Sequence, residues 1–207
     1  MKANKIGPLV FLAAGTLVLA LLLQMAGRGV LPRGSRSGVS YTAEILVTDP
    51  MTGAETLQFY EDRQGIDADT ARRWLGAKVD SFADDATVVV SVPLQTSSAY
   101  APYLDLYCQV DGDGPDWSIL SIYSVQLCGA AGDTRPFAGD ISVFLRGDRE
   151  IEYIVNGDFF RKGTMEADRA GHVDVMPGGS AWLASAIRDG DPDEQGDYCY
   201  QNGRVKL

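Results

Sequence analysis

A single histidine limits the acid–base chemistry available to this 207-residue chain. A nucleophilic relay would have to use His172, with Asp174 two positions later on the same face of a strand and Ser180 as the hydroxyl nucleophile. No Gly-x-Ser-x-Gly turn surrounds Ser180, and the start of a helix explains this serine better. We therefore expect no enzymatic activity, and a hydrolase that uses His172 is the minor alternative.

Acidic loops form a second kind of candidate site. Asp189, Asp191 and Asp193 place a carboxylate at every second position, the spacing at which a loop wraps around a calcium ion. The sixth and twelfth positions of an EF-hand loop need Gly and Glu, but here they are Glu194 and Tyr200. Calcium at this loop is thus a hypothesis beside ordinary turn chemistry, and no motif predicts another cofactor. A weaker loop of the same kind holds Asp111, Asp113 and Asp116.

Three cysteines, an odd number, leave at least one without an intrachain partner. If residues 103–110 and 117–127 form a hairpin, Cys108 lies opposite about residue 120, and Cys128 lies roughly 27 Å further along the strand. A disulfide needs Cα atoms within about 7 Å. We therefore predict a bond between Cys128 and Cys199 with Cys108 buried, and a Cys108–Cys128 bond is the alternative if the hairpin is wrong.

Strand signals dominate the chain after its first forty residues. Residues 103–110 alternate cleanly, with Leu104 and Leu106 on one face and Asp105 and Tyr107 on the other, as in a half-buried strand. We predict one β-rich soluble domain over residues 39–207, mainly antiparallel and either sandwich-like or α+β. The predicted strands are 40–48, 55–60, 87–92, 103–110, 117–127, 141–145, 150–155, 172–176 and 198–201.

Two short helices complete the predicted domain. The first begins at Asp67 or Asp69, whose carboxylate would accept a hydrogen bond from the first-turn amides. The second runs from Ser180 to Gly190, because Ser180 suits a cap and apolar residues follow at helical spacing. Tight turns are predicted at 49–53, 111–115 and 146–149, and at Asn156-Gly157.

The start of the chain predicts a membrane anchor. Residues 6–27 carry no charge and follow Lys2 and Lys5, and 22 residues at about 1.5 Å each exceed the roughly 30 Å hydrocarbon core. Cleavage after Ala26 would leave Gln24 where a small residue is required, so we favour a retained transmembrane signal anchor over a cleaved signal peptide. A stripe of small residues predicts a helix-packing face at Ala13, Thr16, Ala20 and Gly27.

The distribution of charged residues supports a division of the chain into a membrane anchor and a soluble body. Residues 1–37 hold five of the 18 Lys and Arg residues and none of the 28 Asp and Glu residues, which leaves 13 basic and 28 acidic residues, a net charge near −15, in the body. Such a body repels nucleic acid. Residues 28–38 form a flexible tether. We expect residues 1–5 in the cytoplasm and the body in the periplasm of a bacterial-type inner membrane, although the flanking basic residues are evenly balanced.

These features favour a non-enzymatic, single-pass accessory or assembly subunit of a larger membrane complex. Its partners would contact the membrane helix and the extracytoplasmic domain, and the acidic body would suit a basic soluble protein. The alternative is an independent envelope module that binds sugar, peptidoglycan or a small molecule. Its ligand would stack on exposed aromatic rings. The candidates are Tyr100, Tyr103, Tyr107 and Tyr123.

Overall fold

The computed structural model describes residues 44–75, 86–112, 117–129, 133–167, 171–191 and 194–207, all within one unit that spans residues 42–207. The predicted membrane span at 6–27, the tether at 28–38 and the packing face at Ala13, Thr16, Ala20 and Gly27 lie outside the described residues. Within the described ranges, no helix has the length and apolar character needed to cross a membrane.

Two five-stranded antiparallel sheets and two short helices build the domain, which confirms the predicted β-rich class. Sheet A has the order β1-β2-β3-β4-β8, and sheet B has the order β10-β6-β5-β9-β7. The strands are β1 Leu46–Val47, β2 Ala86–Pro93, β3 Tyr103–Asp111, β4 Ser118–Cys128, β5 Phe137–Leu145, β6 Glu150–Phe159, β7 Thr164–Ala167, β8 His172–Val175, β9 Ser180–Arg188 and β10 Asp197–Lys206. The helices are α1 Gly53–Gln64 and α2 Ala68–Leu75.

The elements stack in three layers, with sheet A in the middle. Its inner face packs on sheet B through an apolar core that includes Val90, Leu106, Val143 and Val155. Its outer face lies under the helices, where Tyr60 and Ala71 contact other buried residues of a smaller cluster. Sheet A is therefore covered on both sides, and the strands of sheet B alternate between buried and partly exposed residues.

The hairpin of β3 and β4 is confirmed. Cys108 lies opposite Ile122 and Cys128 lies opposite Tyr103, close to the register expected from the sequence. The expectation that Asp105 and Tyr107 face solvent is wrong, because α1 covers this face and both side chains are fully buried.

The predicted strand at 55–60 is wrong, since these residues lie in α1. Thr52 begins the helix with a capping box: its hydroxyl accepts from the Glu55 amide at 3.3 Å, and the Glu55 carboxylate accepts from the Thr52 amide at 2.8 Å. The hydrogen bonds that the Glu55 carboxylate accepts from the Thr52 amide and hydroxyl lower the pKa of Glu55. Gly65 ends the helix with φ +65°, a conformation that favours glycine.

The predicted helix at 180–190 is also wrong. Residues 180–188 form β9, which pairs with β5 on one side and β7 on the other. Ala181 and Leu183 face the core and Trp182 faces solvent, so the segment alternates with the period of a strand. Two ladders of backbone hydrogen bonds outweigh the helix propensity of its alanine and leucine residues. The helix predicted near Asp67 is confirmed, because the Asp67 carboxylate accepts from the Thr70 amide at 2.9 Å.

Candidate functional site

The outer face of sheet B carries the most exposed aromatic side chains of the described domain. We define this outer face by the residues of β5, β6, β9 and β10 that point away from the core. One row across the four strands is Trp182, Ser142, Ile154 and Asn202, as the strand registers show. The next row is Ala184, Asp140, Asn156 and Tyr200.

Three rings dominate this surface. Trp182 is 67% exposed, Tyr200 58% and Tyr198 48%. Trp182 and Tyr200 are three strands apart and offset by two residues along the strands, a separation of about 16 Å at the usual spacings. Hydrogen bonds hold the tyrosines in place, since the Tyr198 hydroxyl donates to Asn156 Oδ1 at 3.0 Å and Asn202 Nδ2 donates to the Tyr200 hydroxyl at 3.5 Å. The rings are therefore oriented toward solvent on a rigid sheet.

Charged residues flank the aromatic part of the outer face. Arg204 contacts Glu150 at 3.0 Å and Glu152 at 3.7 Å, and Arg146 contacts Glu152 at 2.9 Å. Such partly exposed ion pairs add little stability, but they balance the charge at this end of the sheet. The surface thus carries exposed rings on β9 and β10, mostly polar side chains on β5 and β6 between them, and ion pairs at one end.

A buried polar cluster beneath α1 was not anticipated from the sequence. Arg63 Nε donates to Asp105 Oδ2 at 3.1 Å, and the Cys128 thiol donates to the same oxygen at 3.1 Å. Gln64 Nε2 donates to Cys128 Sγ at 2.7 Å. Burial, and then the negative charge of Asp105, raise the pKa of Cys128 well above its usual range. A protonated thiol is a poor nucleophile. Because Arg63 and Gln64 belong to α1 and Asp105 and Cys128 belong to sheet A, the cluster holds the helix on the sheet.

A pocket of about 330 Å³ opens beside Tyr100 and Arg135, with Arg161 on its wall. The Arg135 guanidinium lies 4.0 Å above the Tyr100 ring and contacts Asp197 at 2.7 Å and Asp133 at 3.2 Å. Its charge is therefore already balanced by two carboxylates. This leaves it weakly suited to bind an anion.

The structure separates the residues of the predicted relay. His172 and Asp174 lie in β8 of sheet A, whereas Ser180 begins β9 of sheet B and pairs with Phe144. His172 Nε2 forms a short contact with the backbone carbonyl oxygen of Trp74, at the end of α2. The imidazole nitrogen that a relay needs is thus engaged by the helix layer.

The structure describes only part of the predicted calcium loop, because Asp193 lies outside the described residues. Asp189 has φ +54°, and the Asp191 carbonyl accepts from the Glu194 amide at 3.1 Å in a turn. Glu194 Oε1 accepts from the Arg161 amide at 2.7 Å. Within the described ranges, no three His, Cys, Asp or Glu residues form a group that could hold a metal ion. In the weaker loop, Asp113 and Asp116 also lie outside these ranges.

The predicted Cys128–Cys199 disulfide is not formed in this structure, in which Cys108, Cys128 and Cys199 are free thiols and buried. Cys128 ends β4 in sheet A and belongs to the polar cluster under α1. Cys199 lies in β10 of sheet B and packs in the apolar core. The two residues are thus on different layers, which the sequence alone did not reveal.

The tyrosines proposed for a sugar site do not form an exposed platform. Tyr107 and Tyr123 are buried under the helices with ring centroids 6.2 Å apart. Tyr100 packs on Phe159 at 5.3 Å, and Arg63 lies 4.7 Å above the Tyr103 ring. The exposed aromatic residues are instead those of the outer face, which the alternation of Tyr198 and Tyr200 in a strand pattern could have indicated.

Comparison with protein-family models, with curated proteins and with solved structures found no match to this chain. The geometry of the outer face is therefore the basis for a functional proposal.

Proposed function

We propose that this protein is a membrane-anchored, non-catalytic accessory subunit that binds a partner subunit of a larger membrane complex through the outer face of sheet B. The observation that carries the proposal is the exposure of Trp182 and Tyr200 on one sheet face. Tryptophan and tyrosine are enriched among the residues that dominate binding energy at protein interfaces. A sheet presents them rigidly, which lowers the entropy lost on binding.

The chemistry of the face defines the partner surface that fits it. The half-buried carboxylates of Asp140 and Asp158 lie on the same side of the sheet as the aromatic rings. A complementary surface has apolar groups opposite the rings and basic groups opposite these carboxylates. This agrees with the acidic character of the whole body, which favours basic partners.

The membrane anchor at 6–27 and the periplasmic location of the body are part of this proposal. The three free thiols remove the disulfide as a reason for placing the body outside the cytoplasm, and the anchor sequence remains its basis. Protease treatment of intact spheroplasts tests the orientation: a periplasmic body is digested, and a cytoplasmic body is protected until the membrane is lysed.

A second candidate function is the binding of an envelope sugar or peptidoglycan. The specific observation in its favour is that exposed rings share a flat face with the side-chain amide and carboxylate of Asn156 and Asp140. Rings stack on the apolar faces of sugars, and amides and carboxylates bond their hydroxyl groups. Calorimetric titration with soluble peptidoglycan fragments tests this alternative.

Purification from native membranes in mild detergent, followed by mass spectrometry, tests the leading proposal. We expect a stoichiometric membrane protein with the wild-type chain and its loss with Trp182→Ala or Tyr200→Ala. Trp74→Ala is the matched control, since Trp74 is 40% exposed but lies on α2. Absence of any stoichiometric partner, or equal loss with Trp74→Ala, would contradict the proposal.

A further inference from the structure

Two carboxylates on the outer face of sheet B lie close together. Asp140 is directly opposite Asn156, and Asp158 is the next outward-facing residue after Asn156 along β6. The two aspartates are therefore diagonal neighbours on adjacent strands, with about 7 Å between their Cβ atoms. Both side chains are half-buried, so water screens their mutual repulsion less than it would at a fully exposed position.

Within the described ranges, neither of these carboxylates forms an ion pair or a hydrogen bond. Arg204 points to the same side of the sheet, but it lies two rows away and pairs with Glu150 and Glu152. Like charges on neighbouring strands destabilise a sheet. Features that cost a fold stability are expected mainly at functional sites.

Tyrosine rings border this acidic pair on the β10 side. Tyr200 is directly opposite Asn156 and is more than half exposed. The Tyr198 hydroxyl donates to Asn156 Oδ1 at 3.0 Å, so the Tyr198 ring is held across two rows of the face. On the β9 side, Asp140 is opposite Ala184, whose small side chain leaves the carboxylate open to approach.

The carboxylates and the rings all attract positive charge. An ionised carboxylate only accepts hydrogen bonds, and the face of a tyrosine ring is negative. A guanidinium has five N–H donors in one plane and no acceptor, so it can donate to both carboxylates while its flat face lies against a ring. A lysine ammonium is a point charge without a flat face and makes less use of this arrangement.

We propose that the outer face binds an arginine side chain of the partner subunit. Its guanidinium lies above Asn156, donates to the carboxylates of Asp140 and Asp158, and stacks against the ring of Tyr200. This inference rests on the function proposed above, because it names the group of the partner that the outer face receives. The acidic charge of the body attracts such a partner, and the two aspartates determine where its arginine docks.

Titration of the full-length chain in a non-ionic detergent with the peptide acetyl-Gly-Arg-Gly-amide tests the arginine site. Backbone amide shifts, measured by NMR, locate the peptide, and we expect them at Asp140, Asn156 and Tyr200. The double variant Asp140→Asn, Asp158→Asn should bind the peptide at least about tenfold more weakly, because it loses two charge-assisted hydrogen bonds. A citrulline peptide, which has the same shape without the charge, should show the same loss on the wild-type chain.

The double variant Asp62→Asn, Asp69→Asn is the matched control, because it removes the same charge from α1 and α2, in the layer on the far side of sheet A. It should bind the arginine peptide as the wild type does. Equal binding of the arginine and citrulline peptides would overturn the proposal. So would unchanged binding by the Asp140→Asn, Asp158→Asn variant, or shifts confined to other surfaces.

Thermal unfolding without any peptide gives a second readout. The Asp140→Asn, Asp158→Asn variant should melt at or above the wild-type temperature, because it removes a repulsion between two carboxylates. A fall of more than a few degrees would overturn the proposal, since these carboxylates would then be held by groups of the fold itself.

Purification from native membranes separates this inference from the function on which it rests. We expect the partner subunit to be lost with Trp182→Ala and also with Asp140→Asn, Asp158→Asn. Loss with Trp182→Ala but retention with the double variant would overturn the arginine site alone. Retention with Trp182→Ala would overturn the proposed function.

Discussion

Arg63 and Asp105 are 42 residues apart in sequence and form a two-point ion pair between α1 and the centre of sheet A, with Nε–Oδ2 at 3.1 Å and Nη2–Oδ1 at 3.4 Å. The Asp105 side chain is fully buried, and the Arg63 side chain remains 26% exposed. The pair therefore neutralises a carboxylate that the helix removes from water. It fixes the helix at one position on a sheet face whose other groups are mostly tyrosine, serine and threonine.

Arg63→Ala should lower the free energy of unfolding by about 3–5 kcal/mol, because it leaves the carboxylate of Asp105 buried without its cation. Urea denaturation of the purified chain measures this. Arg204→Ala is the control, since its ion pair with Glu150 is exposed and should contribute less than about 1 kcal/mol. Equal, small losses for both variants would show that Asp105 is not held as the structure describes.

All three cysteines should resist alkylation in the folded chain. Burial raises the pKa of Cys199 to about 12, and burial also raises the pKa values of Cys108 and Cys128, so the reactive thiolate is scarce at neutral pH. Mass spectrometry after iodoacetamide treatment should find no modified cysteine in the native protein and three in unreduced, denatured protein. A single modified cysteine after denaturation would instead establish the disulfide that the sequence predicted.

Gly157→Ala should destabilise the domain more than an alanine in a surface turn does. Gly157 and Gly139 face each other across β6 and β5, and a Cβ on Gly157 would lie 2.6 Å from Phe137 Cζ and against the Ala138 carbonyl. We expect a loss of about 2–3 kcal/mol in the free energy of unfolding.

Gly147→Ala is the control for this measurement, because a Cβ there meets nothing within 4 Å and only its φ of +78° is unfavourable. Its expected loss is about 1 kcal/mol. A smaller effect at Gly157 than at Gly147 would contradict the close packing of Phe137 over the glycine pair.

His172→Ala should leave partner binding intact. The imidazole contacts the Trp74 carbonyl, so its removal should lower the free energy of unfolding by about 1 kcal/mol. Trp182→Ala should have the opposite effect, with binding lost and stability retained. Loss of function in a folded His172→Ala protein would revive the hydrolase hypothesis.

The sequence predicts the two packed sheets because alternating apolar residues indicate which face of a strand is buried. Leu104, Leu106 and Val110 of β3 all lie in the inter-sheet core, as the pattern indicates. The same pattern cannot show what covers the opposite face. Tyr107 and Asp105 are polar enough to face water, yet α1 buries them. Asp105 is ion-paired with Arg63 of α1, and the Tyr107 ring packs edge-on against Tyr60 of α1 with centroids 5.5 Å apart.

The candidate site was missed for a related reason. Trp182 lies in a segment of alanine and leucine, and the sequence was interpreted as an amphipathic helix. Residues 180–188 form a strand because they pair with β5 and β7. Neither partner adjoins this segment in the sequence, so a local pattern does not reveal the pairing. The Thr52-x-x-Glu55 capping box is a local signal that could have indicated α1. The tight turn predicted at Asn156-Gly157 is wrong, because both residues lie inside β6, where close packing against β5 requires glycine.

The most direct test of the outer face as a binding surface is site-specific photo-cross-linking in living cells. A photoreactive phenylalanine replaces Trp182 in one strain and Trp74 in another, and both chains carry the same tag. We expect one discrete cross-linked membrane protein from position 182 and no such product from position 74. The same products from both positions, or none from position 182 in a folded, membrane-bound chain, would contradict the account.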